Sequence, residues 1–188
     1  NAENLLVALG ALLAWDVPFA DACDSLSRCA GLVGRMQVLG GGDLPWVVVD
    51  YAHTPDALIR VLQSLRRLGG DEVWCVFGCG GQRDAGKRAA MGSAAGKFAD
   101  HIVLTDDNPR EEDPGAIVAD IRVGLIAHPD VWVEHDRRRA ITDAISQARA
   151  EDVVLVAGKG HEEFQWIAGE QRPFSDRAVA EDALGARG

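Results

Sequence analysis

Four short segments gather the residues able to do chemistry. They are Asp50-Tyr51-Ala52-His53-Thr54-Pro55-Asp56, Gly78-Cys79-Gly80-Gly81-Gln82-Arg83-Asp84, Asp106-Asp107-Asn108-Pro109-Arg110 and Gly158-Lys159-Gly160-His161-Glu162. Arg83 and Arg110 each carry a planar fork that matches a carboxylate, while Asp107 and Glu162 accept hydrogen bonds from an ammonium. A ligand bearing both charges would be held at both ends.

Taken singly, each segment also has an ordinary reading. Gly78-x-Gly80-Gly81 is compatible with a tight turn into a helix. Gly81-x4-Gly86-Lys87 imitates a phosphate loop, but Arg88 follows where Ser or Thr must reach magnesium. Asp106, Asp107 and Arg110 would serve as a charged turn ahead of a helix near Pro114, and His53 and His161 as satisfied loop histidines. Cys75 and Cys79 have no second Cys or His pair nearby at zinc spacing, and with Cys23 and Cys29 they are too scattered for a disulfide scaffold. No metal ligand is assigned.

The combination matters because of what must position it. Short β-branched runs alternate with helical segments from Trp46 onward, the signature of βαβ units around a largely parallel sheet. The pattern predicts strands at Trp46–Asp50, Val73–Phe77, Ile102–Thr105, Val131–Glu134 and Val153–Ala157. Each is largely apolar on both faces, as in a sheet covered on both sides. Between them it predicts helices near Pro55–Arg67, Asp84–Phe98, Pro114–Ala127 and Arg137–Arg149, with a last one near Asp176–Leu184. Phe164–Ala168 and Gln171–Phe174, split by Gly169-Glu170, read as a hairpin. Two helices, Asn4 to Trp15 and Phe19 to Cys29, precede a glycine-rich stretch from Gly31 to Asp43 that reads as a hinge. In open α/β sheets ligands bind beyond the carboxyl ends of the strands, and all four polar segments follow predicted strands. They would share one rim.

The chain has 188 residues and a formal charge of −10. That balance excludes a nucleic-acid partner that depends on clustered Lys and Arg. No apolar run approaches the roughly 20 residues that span a bilayer, and the start lacks a signal-peptide pattern. The expectation is a cytoplasmic, non-inserted protein. The absence of an initiating Met and a beginning inside an amphipathic helix lead us to expect a fragment.

In order and spacing, the four segments resemble the carboxy-terminal domain of the UDP-N-acetylmuramoyl-tripeptide synthetases of the Mur ligase family. The similarity runs over essentially the whole chain. It implies an α/β fold: a Rossmann-like, mostly parallel sheet with helices on both faces, a C-terminal β-hairpin, and an N-terminal helical remnant of the preceding domain. Residues 1–34 would then be the last helices of a central ATP-binding domain and 35–188 the third domain, with closure about the Gly34 to Asp43 hinge. The uridine-nucleotide domain and the phosphate loop have no counterpart, so the chain is not expected to catalyse alone.

The resemblance implies ATP-dependent amide formation through an acyl phosphate, with ATP and Mg2+ as cofactors. meso-Diaminopimelate and UDP-N-acetylmuramoyl-L-alanyl-D-glutamate would be the partners. By the same resemblance Arg83, Asp107, Asn108, Pro109, Arg110, Gly158 and Glu162 read diaminopimelate. Asn4, Arg35, Asp50 and His53 contact or close over ATP. The arginine ending the Asp-Asn-Pro-Arg motif goes with diaminopimelate, since a guanidinium facing lysine would lack the distal carboxylate as partner. Gln82 departs from the Asp or Asn common in relatives. The alternatives are a lysine-adding ligase, a dinucleotide-binding oxidoreductase domain with Asp106 on the ribose, and a detached amino-acid-binding module or regulatory remnant. The spacing of Gly78, Gly80 and Gly81 does not give the dinucleotide fingerprint.

Overall fold

Alternation along six strands sorts the buried apolar residues into two cores. In chain order the strands are β1 (Gln37–Gly40), β2 (Trp46–Asp50), β3 (Val73–Phe77), β4 (His101–Leu104), β5 (Val131–Val133) and β6 (Val153–Ala157). Val48, Cys75, Phe77, Ile102, Leu104 and Leu155 enter one core, while Val47, Val49, Trp74, Val76, Val103, Val154 and Val156 enter the other. A side-chain period of two, apolar on both phases, leaves such a sheet stable only between two layers of helix.

Those layers are present in the computed structural model, which describes residues 2–29, 31–126 and 128–187. The first core is closed by α3 (Pro55–Leu68), α4 (Lys87–Phe98) and α5 (Pro114–Arg122). The second is closed by α6 (Arg137–Gln147) and α7 (Asp176–Gly185). The sheet order is β1-β2-β6-β3-β4-β5, with β1 antiparallel to β2 and every other neighbour parallel. β6 is flanked by β2 and β3. The helices after β2 and β3 lie on one face and the helix after β6 on the other, so a crevice opens at their carboxyl ends.

Local sequence sets the helix starts. Thr54 Oγ1 accepts from the Ala57 amide ahead of Pro55, and Asp113 accepts from Gly115 ahead of Pro114. Asp136 accepts from Arg138 and Arg139, and Ser175 from Ala178. Each cap satisfies an amide that the helix itself cannot. The hairpin follows β6 as β7 (Phe164–Ile167) and β8 (Glu170–Pro173).

Four expectations are revised. The glycine-rich connection contains a strand, β1, whose pairing to β2 turns through Gly41 and Pro45. The helix expected from Asp84 starts at Lys87, because the Asp84 carboxylate accepts from the Gly86 amide and makes a turn there. The helix expected to reach Ala127 stops at Arg122 and continues as a 3-10 turn over Val123–Leu125, while Ala127 lies outside the described residues. Strand edges at Thr105 and Glu134 retreat by one residue.

The chain divides into two compact units, Asn1–Gly31 and Leu32–Gly188. The first contains α1 (Ala2–Ala14) and α2 (Phe19–Ser27), matching the two helices expected there. Among the described residues no helix is long and apolar enough to cross a membrane.

Candidate functional site

The loops after β2, β3, β4 and β6 border one cleft of about 370 Å³. Tyr51 and His53 come from the first loop, Arg83, Asp84 and Lys87 from the second, Asp107, Asn108 and Arg110 from the third, and Gly158 and Glu162 from the fourth. The rim expected from the strand pattern is therefore a real enclosure, with carboxylates and cations facing the same space.

The glycine turn owes its composition to how closely the third loop approaches it. A Cβ on Gly78 would sit 1.9 Å from the Thr105 carbonyl oxygen, and one on Gly81 would sit 2.0 Å from that of Pro109. The two loops are then stitched together. Gly81 donates to the Asn108 carbonyl at 2.9 Å, Arg110 Nη1 donates to the Gly81 carbonyl at 2.6 Å, and Gln82 donates to Glu112 at 2.8 Å. Buried Arg88 holds the same Glu112 through both terminal nitrogens and also binds Asp120. The hydrogen bonds from Arg88 keep the Glu112 carboxyl down at about 2.

Arg110 adopts φ +56, a left-handed conformation uncommon for a side-chain-bearing residue. The hairpin holds it there: Arg110 donates to the Trp166 carbonyl at 3.0 Å and accepts from the Ala168 amide at 2.7 Å. Asn108 is anchored from the same strand, since the Trp166 amide donates to its Oδ1 at 2.9 Å. The hairpin, which sequence reading left without a role, thus braces the Asp-Asn-Pro-Arg loop.

Charge in the cleft is set from beneath. Asp107 is buried, and among the described residues its carboxylate accepts no hydrogen bond. Burial pushes its pKa up, against the pull of the Arg137 and Lys159 charges. Burial likewise raises Asp106, opposed by His135, whose Nδ1 lies 2.8 Å from Oδ1. Cys79 faces the cleft as a thiol, its pKa raised by burial to about 11. It is a poor nucleophile there.

Six of the seven residues assigned to the amino acid, Arg83, Asp107, Asn108, Arg110, Gly158 and Glu162, line this cleft. Pro109 is buried behind it, against Gly81. Of the residues assigned to ATP, only His53 lines it, with Nδ1 2.8 Å from the Tyr51 carbonyl. Asp50 is buried and accepts from the Met36 amide at 2.7 Å; burial raises its pKa, with that bond and Arg35 opposing. The Arg35 guanidinium lies 4.7 Å over the Tyr51 ring. Asn4 is an exposed residue of α1 in the other unit. Exposed His161 has its ring 5.3 Å from that of Tyr51.

Sequence reasoning gave no role to Lys87, Lys159 or Arg137. Lys87 lines the cleft and donates to the His53 carbonyl at 2.7 Å, joining the first two loops. Its signal was the imitation phosphate loop, a pattern that here marks a cation at a helix start. Lys159 and Arg137 are fully buried cations, and nothing in their sequence neighbourhood marks them as such. Among the described residues no group of three His, Cys, Asp or Glu could hold a metal ion.

Residues 34–160 match the family described as Mur ligase, glutamate ligase domain. The UDP-N-acetylmuramoyl-L-alanyl-D-glutamate–2,6-diaminopimelate ligase of Pseudomonas aeruginosa is 53% identical over 186 residues, covering 99% of this chain and 38% of the relative. The ligase of the same name from Chromobacterium violaceum is 54% identical over 190 residues, covering 100% and 38%. A solved structure of a ligase of that name is 44% identical with a TM-score of 0.78, covering 100% of this chain and 38% of that one. The UDP-N-acetylmuramate-alanine ligase of Thermotoga maritima shares the fold at 15% identity and a TM-score of 0.68, over 98% of this chain and 36% of that one. The chain spans 38% of the length of the curated relatives it matches.

Proposed function

The chain belongs to the Mur ligase family, and on that premise we propose that it is the amino-acid-binding part of an ATP-dependent ligase. That ligase joins meso-diaminopimelate to UDP-N-acetylmuramoyl-L-alanyl-D-glutamate in cytoplasmic peptidoglycan synthesis. The observation that carries this reading is the cleft in which Asp107 and Glu162 share one space with Arg83 and Arg110. A diamino dicarboxylic acid presents ammonium and carboxylate groups at both ends, and the cleft offers a counterpart to each kind. Lysine would leave one guanidinium without its carboxylate, a mismatch that buried polar sites discriminate strongly.

In this reading residues 1–34 close a central ATP-binding domain, and the preceding domains supply the phosphate loop, the uridine-nucleotide site and the magnesium ligands. ATP converts the glutamyl carboxylate to an acyl phosphate. This chain's residues do the positioning: the cleft carboxylates grip one ammonium and the arginines grip carboxylates, so the other amine is aimed at the activated acyl group. Orientation of that kind supplies on the order of 7–11 kcal/mol when the geometry is right. Arg35 and His53 sit beside Tyr51, and in this reading they close over ATP. Asp50 contributes from behind, by holding Met36 and the Arg35 backbone in place.

The test is a chimera in which this chain replaces the corresponding part of the Pseudomonas aeruginosa ligase. ATP hydrolysis that requires both diaminopimelate and the uridine-linked dipeptide is the expected result. A folded chimera that binds ATP and dipeptide yet forms no product, as a detached module or regulatory remnant would behave, contradicts the reading.

A further inference from the structure

Beneath the cleft three side chains close a hydrogen-bonded triangle. Lys159 Nζ donates to Asn108 Oδ1 at 3.0 Å and to Glu162 Oε2 at 3.1 Å, and Asn108 Nδ2 donates to the same Glu162 oxygen at 3.0 Å. Asn108 Oδ1 also takes the Trp166 amide. Both lone pairs of the amide oxygen are thus occupied by donors, one of them an ammonium, so the carboxamide cannot flip without setting its own N–H groups against donors. One Nδ2 hydrogen is spent on Glu162, which leaves one. Glu162 Oε2 is likewise filled twice, and among the described residues Oε1 has no donor.

Lys159 itself does not border the cleft: its side chain is fully buried, with the Phe164 ring 5.7 Å from Nζ. An ammonium in that position is expensive to desolvate and is retained only with well-placed partners. Here the partners are two of the residues that face the ligand.

We propose that Lys159 is a positioning residue for recognition of the incoming amino acid. It locks the Asn108 amide and the Glu162 carboxylate so that one N–H donor and one carboxylate oxygen are presented to the cleft in fixed orientation. The proposal rests on the reading that Asn108 and Glu162 contact that amino acid. Lys159 never touches the ligand; it removes the alternative orientations that Asn108 and Glu162 would otherwise sample. Pre-orientation of this kind lowers the ordering cost of binding.

Two measurements test it. In the chimera, Lys159→Met is expected to raise KM for diaminopimelate by about tenfold while KM for ATP changes by less than about twofold, because Asn108 and Glu162 must then be ordered on binding, at about 0.5–1.5 kcal/mol for each side chain. Lys159→Gln, which restores an uncharged donor, should recover part of the loss. Equal rises in both KM values, or a fall in kcat with KM for diaminopimelate unchanged, would overturn the proposal. Independently of activity, the Asn108 Nδ2 proton held by Glu162 in the 15N-labelled wild-type chain should exchange with solvent about tenfold more slowly than the side-chain amide protons of exposed Asn4. Exchange as fast as that of Asn4 would overturn the locked triangle even if neither variant folds. An inactive chimera with a slowly exchanging Asn108 would count against the ligase reading and leave the triangle standing.

Discussion

Arg137 and Asp176 meet in a two-pronged pair with both side chains wholly buried: Nε donates to Oδ1 at 2.7 Å and Nη2 to Oδ2 at 2.8 Å. The same guanidinium donates to the Ala157 carbonyl at 3.0 Å and the Asp106 carbonyl at 3.3 Å. One pair therefore ties the carboxyl ends of β4 and β6 to the start of α7, and so fixes the third and fourth loops of the cleft relative to each other. Burial works against the charged guanidinium, but Asp176 outweighs it and the Arg137 pKa is raised.

Breaking this pair from one side should be costly. Asp176→Ala leaves a buried guanidinium uncompensated, and we expect a loss of about 3–5 kcal/mol by urea unfolding. Arg137→Met combined with Asp176→Leu should recover most of it, since an apolar pair of similar volume carries no desolvation penalty. A single variant within about 1 kcal/mol of wild type would show that the pair does not organise the fold.

Gly158 has φ +118, and a Cβ there would lie 2.4 Å from Asp107 Oδ2. Gly158→Ala should therefore both strain the backbone and push Asp107 from its place. The expected outcome is a chain destabilised by roughly 1–3 kcal/mol whose chimera loses affinity for diaminopimelate. Affinity equal to wild type would mean that Asp107 and Gly158 need not be in contact for binding.

Asp107 should show the opposite sign for stability. A carboxyl whose pKa is higher in the folded chain than in the unfolded one detracts from stability as pH rises above the unfolded value, and the deficit grows until pH passes the folded value. Asp107→Asn removes the charge that burial penalises. It is expected to raise the thermal midpoint by about 2–4 °C, equivalent to roughly 1 kcal/mol in a chain of this size, while weakening diaminopimelate binding in the chimera. A lower midpoint would indicate that the Arg137 and Lys159 charges more than offset the burial.

What the sequence disclosed and what it hid follow a physical line. The central strands were legible because runs such as Val153–Ala157 are apolar on both phases, and the helix starts because Pro55 and Pro114 stand behind capping residues. The cleft was legible because charged and glycine-rich residues cluster after those strands. β1 was not: four residues among glycines carry too little pattern, and only pairing with β2 makes them a strand. Nor were the pairings of Arg88 with Glu112, Arg137 with Asp176 and Lys159 with Asn108, which span 24, 39 and 51 residues. Such long-range pairing leaves no local periodicity. The bracing of Arg110 by β7 was hidden for the same reason.

His101 predicts a pH dependence remote from the cleft. Its ring stacks on Trp74 at 4.1 Å, with Nε2 2.9 Å from Glu72 and Nδ1 hydrogen-bonded to Asp130. Burial opposes protonation, but the two carboxylates, with Asp100 nearby, prevail and the pKa is raised. The contribution is thus complete below the unfolded value of about 6.5 and is lost as pH rises through the higher folded value. Urea midpoints of the wild-type chain should fall as pH rises above about 6.5, and those of His101→Gln should fall less. Parallel profiles would refute a stabilising imidazolium.

The central claim is that this cleft selects the incoming amino acid, and the most direct measurement is the ratio of kcat/KM for meso-diaminopimelate to that for L-lysine in the chimera, with and without Arg110→Ala. We expect wild type to favour diaminopimelate by about a hundredfold or more, and the variant to lose about tenfold or more of that ratio through a higher KM for diaminopimelate. A ratio unchanged by the substitution would contradict the account, because Arg110 would then not be reading the distal carboxylate.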